Sequence, residues 1–165
     1  MDNIFEKNIA GDFGGAIYSE CDKLNFISSN NNRINYNSAG IMGGGIHSLN
    51  IIDLSGFEFK NNTISSVINN YSSNPAFIYL NTTLDKNIEL NVGDYFPLTF
   101  TLYDEYGNIF KDVNKYFSFL ILKLTLVKKE DDFKNSRRKR YYLKGNIGSF
   151  SEGKYFKNNI GIKSI

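Results

Sequence analysis

Along the first half of the chain, apolar and polar residues alternate in runs of about four to six residues, separated by Asn- or Gly-rich stretches. Asn25-Phe26-Ile27-Ser28 and Ile51-Ile52-Asp53-Leu54 are examples. A period of two predicts strands, and no window sustains the period of a helix. Such short runs cannot bury a face alone, so they must stack on one another. The second half carries longer alternating segments. Strands are expected at 96–103, 109–113, 117–128, 141–147 and 154–162, with a hairpin turn over 104–108 in which Gly107 and Asn108 take positive φ.

The runs of the first half recur. Phe5, Asn8, Ala10, Gly14, Gly15, Ala16, Ile17 and Ser19 each have a counterpart 29 residues on, in Ile34, Asn37, Ala39, Gly43, Gly44, Gly45, Ile46 and Ser48. A decayed third copy is expected from Phe59 and Asn62 to Ala76, Phe77, Ile78 and Tyr79, without the glycine pair. Repeated short strands with fixed corners predict a parallel β-solenoid, in which equivalent side chains lie one above another. Asparagine suits the corners because it accepts left-handed geometry and can hydrogen-bond its own copy in the next layer; Gly14-Gly15 and Gly43-Gly44 supply the sharp bends.

The sequence Phe5-Glu6-Lys7-Asn8, followed by Gly14-Gly15-Ala16-Ile17-Tyr18 and echoed by Gly43-Gly44-Gly45-Ile46-His47, resembles the paired repeats of the polymorphic outer membrane protein family. The second copy departs from the family pattern at Ile34, and the third lacks the glycine pair. The resemblance implies a right-handed parallel β-helix of the pectin-lyase-like type, about three coils over residues 1–82, on a large secreted or surface protein engaged in adhesion. The stretch from Val92-Gly93-Asp94 to Asp104-Glu105-Tyr106-Gly107-Asn108 is similar to the opening strands of bacterial immunoglobulin-like and invasin-like modules. It implies an incomplete antiparallel immunoglobulin-like β-sandwich over residues 85–165. The expected fold class is therefore all-β in two domains. Both ends read as cut, so a fragment of a larger protein is expected, with any membrane or wall anchor outside this chain.

Composition narrows the chemistry. The chain has 165 residues, one cysteine and two prolines, which excludes a disulfide scaffold and a collagen. Its longest apolar run, over 117–127, is interrupted by Ser118, Lys123 and Thr125 and falls short of the roughly 20 residues of a membrane-spanning helix. Charge divides near residue 84: 4 Lys and Arg against 7 Asp and Glu before it, 15 against 10 after it. That shift supports two domains.

Enzymes built on β-helices need acids or an arginine base clustered on one face. Asp12, Glu20, Asp22, Asp53, Glu58 and Arg33 are scattered, with no recurring acid pair, so no catalytic residue is assigned. His47 occupies the position of Tyr18 in the first copy and reads as a strand residue; Cys21 reads as a buried strand thiol. The glycine stretches lack the aspartates of a calcium-binding roll, and no metal or cofactor is expected. Arg137, Arg138, Lys139 and Arg140 form a basic block, a candidate polyanion contact, although Glu130, Asp131 and Asp132 offset it within the same loop. It lacks interleaved stacking aromatics, so no nucleic acid partner is expected.

Glycosylation triplets begin at Asn61, Asn70 and Asn81. With 23 asparagines and 21 serines and threonines, chance alone produces about three, so the count carries no weight. The expected role is a noncatalytic adhesion module, secreted or at the cell surface, that meets a glycan or protein on another surface. Tyr18, Tyr36 and Tyr79 are candidates to stack on sugar rings. The alternative is a piece of a β-helix polysaccharide lyase or hydrolase whose catalytic coil lies elsewhere.

Overall fold

The structure is a computed structural model that describes residues 3–21, 31–84, 89–127 and 141–164. The protein is all-β: every regular element among the described residues is a strand. The chain divides into two compact units, one made of 1–77 and 102–116 and the other of 78–101 and 117–165. The expected domains followed the linear order of the chain, but residues 102–116 belong with the first unit.

In the first unit, three sets of short strands stack in parallel. β1 (Ile4–Glu6), β4 (Asn32–Asn35) and β7 (Phe57–Lys60) form one set, with Phe5 opposite Ile34 and Ile34 opposite Phe59. β2 (Ile9–Ala10), β5 (Ser38–Ala39) and β8 (Thr63–Ile64) form the second. β3 (Ile17–Ser19), β6 (Ile46–Ser48) and β10 (Tyr71–Ser72) form the third, with Ile46 between Ile17 and Tyr71. Alternation decides which side chains enter the core, because neighbours on a strand point to opposite faces. In β4, Asn32 and Ile34 are buried while Arg33 is exposed. Middle-layer Ile34 and Ile46 are covered from both sides and fully buried, whereas first-layer Phe5 and Ile17 stay half-buried.

The third layer departs from the sequence expectation. The step from the first layer to the second is 29 residues, but from the second to the third it is 25: Phe59 follows Ile34 and Tyr71 follows Ile46. The strand under Ile46 is therefore Tyr71–Ser72, and Ala76, Phe77, Ile78 and Tyr79 lie in the separate strand β11 (Pro75–Leu80). The difference arises between the strand sets, since Ser19 to Asn32 is 13 residues and Ser48 to Phe57 only 9. Where the first two layers place Gly14-Gly15 and Gly43-Gly44, the third turns back. β9 (Val67–Ile68) pairs antiparallel with β8 through Ser65 and Ser66, both at positive φ.

The corners also differ from expectation. The left-handed residues are Lys7, Tyr36 and Asn61, each one position before the stacked Asn8, Asn37 and Asn62. The two glycines of each pair have separate reasons. Gly14 and Gly43 adopt positive φ, at 65° and 66°. Gly15 and Gly44 permit close stacking: a Cβ on Gly44 would overlap the Thr63 backbone, and one on Gly15 the carbonyl of Gly44.

In the second unit, β16 (Lys154–Ser164) runs antiparallel to both β12 (Tyr95–Asp104) and β14 (Tyr141–Lys144), and β13 (Ile121–Lys123) pairs antiparallel with β15 (Ile147–Ser149). Leu98, Phe100, Tyr155 and Ile160 form its core. Pro97 sits where the β12–β16 register shifts, a place that tolerates a missing N–H. Segment 109–113 forms no strand beyond an isolated bridge from Ile109 to Tyr103, and within 117–127 only Ile121–Lys123 is a strand. The expected strand over 141–147 breaks at Gly145, whose φ is 72°. At the 104–108 turn, Gly107 has positive φ but Asn108 does not.

Candidate functional site

Asparagines of successive layers form a ladder. The backbone N–H and Nδ2 of Asn8 donate to Oδ1 of Asn37 at 2.9 and 2.8 Å. Asn37 repeats the pattern onto Oδ1 of Asn62 at 3.0 and 2.9 Å, and Asn62 onto Oδ1 of Asn70 at 3.3 and 3.0 Å. Nδ2 of Asn37 and Asn62 also donates to the carbonyls of Phe5 and Ile34. Asn37 and Asn62 are wholly buried, and these bonds compensate the desolvation of their amides. The last rung, Asn70, comes only eight residues after Asn62, because the return strand β9 brings it back under the stack.

Residues 102–116 close onto the same unit. Asp104 is buried; its carboxylate accepts the backbone N–H groups of Asn108 at 2.7 Å and Ser73 at 3.2 Å. Burial raises its pKa above the usual carboxylate value, and those hydrogen bonds act in the opposite direction. Tyr106 places its hydroxyl 2.8 Å from Ser48 Oγ and accepts the Ile52 N–H at 3.1 Å, while Glu105 accepts the Ile51 N–H at 2.8 Å.

Between this segment and the return strand lies a groove of about 370 Å³. Asn69, Asn70 and Tyr71 line it from one segment, with Ile68 beside them; Asn108, Ile109 and Lys111 line it from the other. The amide oxygen of Asn69 is engaged by the Gly43 N–H at 2.8 Å and that of Asn70 by Asn62, so both present N–H donors. Asn108 is the reverse: its Nδ2 donates to Asp104, leaving its oxygen as an acceptor. No carboxylate pairs with Lys111 among the described residues. Sequence reasoning did not find this groove, since its two segments are nearly 40 residues apart and carry no shared motif.

His47 is buried in β6, with Nδ1 2.9 Å from Ser72 Oγ and its ring centroid 4.7 Å from Phe13 and 5.9 Å from Tyr18. Desolvation lowers its pKa to about 4, so the imidazole is neutral at physiological pH. Its environment is that of a packed strand residue.

The repeat residues come together in register, but the acids do not. Asp12, Glu20, Asp53 and Glu58 are exposed and form no group of three or more potential metal ligands among the described residues. The 25-residue step instead sets Glu58 beside Arg33, an acid next to a base. Cys21 is exposed, outside any strand, and not the buried thiol expected; its position just past β3 leaves it beyond the stacked core. Tyr18, Tyr36 and Tyr79 are exposed, with Tyr18 donating to Glu20 Oε1 at 3.0 Å and Lys60 Nζ lying 5.7 Å from the Tyr36 ring centroid. Of the glycosylation candidates, Asn61 is an exposed corner, Asn81 accepts from Thr101 Oγ1 at 2.7 Å, and Asn70 is tied into the ladder. Arg137, Arg138, Lys139 and Arg140 lie outside the described residues. Among those described, no helix is long and apolar enough to cross a membrane.

Comparison with protein-family models, curated proteins and solved structures returned no match.

Proposed function

We propose that the chain is a noncatalytic adhesion module, secreted or displayed at a cell surface, built on a right-handed parallel β-helix followed by an incomplete immunoglobulin-like sandwich. The reading takes its family likeness, that of polymorphic outer membrane protein repeats, from the Phe-x-x-Asn and Gly-Gly pattern. The stacked register, with Phe5, Ile34 and Phe59 in one column and Ile17, Ile46 and Tyr71 in another, supports it.

The observation that carries it is the asparagine ladder. Buried amides joined layer to layer make a stiff body, and such a body holds its surface groups at fixed spacing without ordering them on contact. Exposed Tyr18 and Tyr36 are among the groups so held. Repeated weak contacts on a regular partner then add through effective concentration. The partner proposed is a glycan or protein on another surface.

The experiment is adhesion of beads coated with the purified chain to mammalian and bacterial cells, before and after enzymatic removal of surface glycans. Specific adhesion above uncoated beads supports the reading. Release of reducing ends or unsaturated sugars from a polysaccharide panel by the same preparation would overturn it in favour of a lyase or hydrolase.

A further inference from the structure

We infer that the groove between residues 68–71 and 108–111 binds an acidic saccharide, with Lys111 meeting a sugar carboxylate and the asparagine amides meeting ring hydroxyls. The inference rests on the adhesion reading and names the ligand class at one site.

The argument is one of orientation. An asparagine amide free to rotate offers a donor or an acceptor, but here the choice is made by the fold. The Gly43 N–H holds the Asn69 oxygen, and two donors of Asn62 hold the Asn70 oxygen. Both side chains therefore offer hydrogen. Across the groove Asn108 offers oxygen, because Asp104 engages its Nδ2. A ligand with hydroxyl groups, each both donor and acceptor, matches this mixed lining. Lys111, exposed and without a carboxylate partner among the described residues, adds one cation. Ile68 and Ile109, 65% and 38% exposed, provide apolar surface for the C–H face of a pyranose. At about 370 Å³ the groove falls at the small end of the range for small-molecule sites, suited to a short stretch of sugar chain.

An acidic peptide shares the charge but not the hydroxyls. Its backbone carbonyls and carboxylates can accept from the amide donors, but it offers no pyranose C–H face to Ile68 and Ile109 and no single hydroxyl that both donates and accepts beside Lys111.

The test titrates the full chain with a hyaluronan tetrasaccharide, following backbone and side-chain amide signals by NMR. The comparison ligands are neutral maltotetraose and a hexaglutamate peptide. The expected result is shifts of the Asn69 and Asn70 side-chain amides, with affinity about fivefold lower for Lys111→Gln and a comparable drop for maltotetraose. Lys111 is exposed, and an unchanged remainder of the spectrum establishes that the variant is folded; Lys111→Glu should then weaken binding further. Absence of these shifts, indifference to both Lys111 variants, or equal affinity for hexaglutamate overturns the inference. If bead adhesion persists while the groove amides do not respond, this site is refuted and the adhesion reading stands; if both fail, both fall.

Discussion

Nδ1 of His47 lies 2.9 Å from Oγ of Ser72, one layer away in the same parallel stack. The contact joins the second and third layers at a point where the imidazole is buried among Phe13 and Tyr18. Burial of the imidazole there gives the fold a pH dependence.

His47 titrates at about 4 in the folded chain, below the 6.5 of an exposed histidine. The unfolded chain therefore binds the extra proton first, and stability from this residue is complete above pH 6.5 and lost as pH falls toward 4. The loss is at most about 3 kcal/mol. Urea unfolding between pH 7 and pH 4 should show the decline, and His47→Gln should flatten that part of the profile while leaving carboxylate effects below it. An unchanged slope in the variant would refute the assignment.

The ladder predicts a gradient of mutational cost. Asn37 is fully buried, donates to two oxygens and accepts from Asn8, so Asn37→Asp removes donors and buries a charge. A loss of about 3 kcal/mol or more is expected. Asn8 is exposed and, among the described residues, bonds to the layer on one side; Asn8→Ala should cost about 1 kcal/mol. Chemical denaturation of the two variants checks the order.

Two glycines in the same repeats separate space from conformation. Gly44→Ala forces a methyl into the Thr63 backbone and should destabilise by about 1–3 kcal/mol. Gly11 has nothing within 4 Å of an added Cβ and no positive φ, so Gly11→Ala should be neutral or stabilising by up to about 1 kcal/mol. Thermal melts of both provide the comparison.

The third-layer hairpin offers a gain. Ser65 and Ser66 hold φ of 44° and 69° in a two-residue turn between antiparallel strands, a geometry that favours Asn-Gly. The double change Ser65→Asn and Ser66→Gly should stabilise by about 1 kcal/mol, read as a higher urea midpoint with the same slope.

The stacking was legible in the sequence because each layer marks its columns with residues of one kind. Phe5, Ile34 and Phe59 are large and apolar, and Asn8, Asn37 and Asn62 are identical, so the recurrence shows even though the step falls from 29 residues to 25. The third layer was misplaced beyond Asn62 because its glycine pair is absent, with Ile68-Asn69 at those positions of the 25-residue step, so Ala76 to Tyr79 imitated a column that Tyr71 occupies. The alliance of residues 102–116 with the repeats had no signal at all. Tyr106 and Asp104 read as turn residues, and only the fold reveals that the hydroxyl reaches Ser48 and the carboxylate reaches Ser73. The groove inherits that invisibility, since half its lining comes from the same segment.

Along the amide column each asparagine donates to the oxygen of the next-higher one, while the second Nδ2 hydrogen of Asn37 and of Asn62 turns back to a carbonyl of the preceding layer. The column is therefore a vector. At Asn70 it terminates on an acceptor, but at Asn8 the outermost oxygen has no donor among the described residues. On that side Asn8 presents an oxygen for a donor and a second Nδ2 hydrogen for a carbonyl, the two groups that a strand in the same parallel sense with its own asparagine would satisfy. The direction of the column thus matches same-sense addition of a strand before any side-chain contact on the outer surface is made.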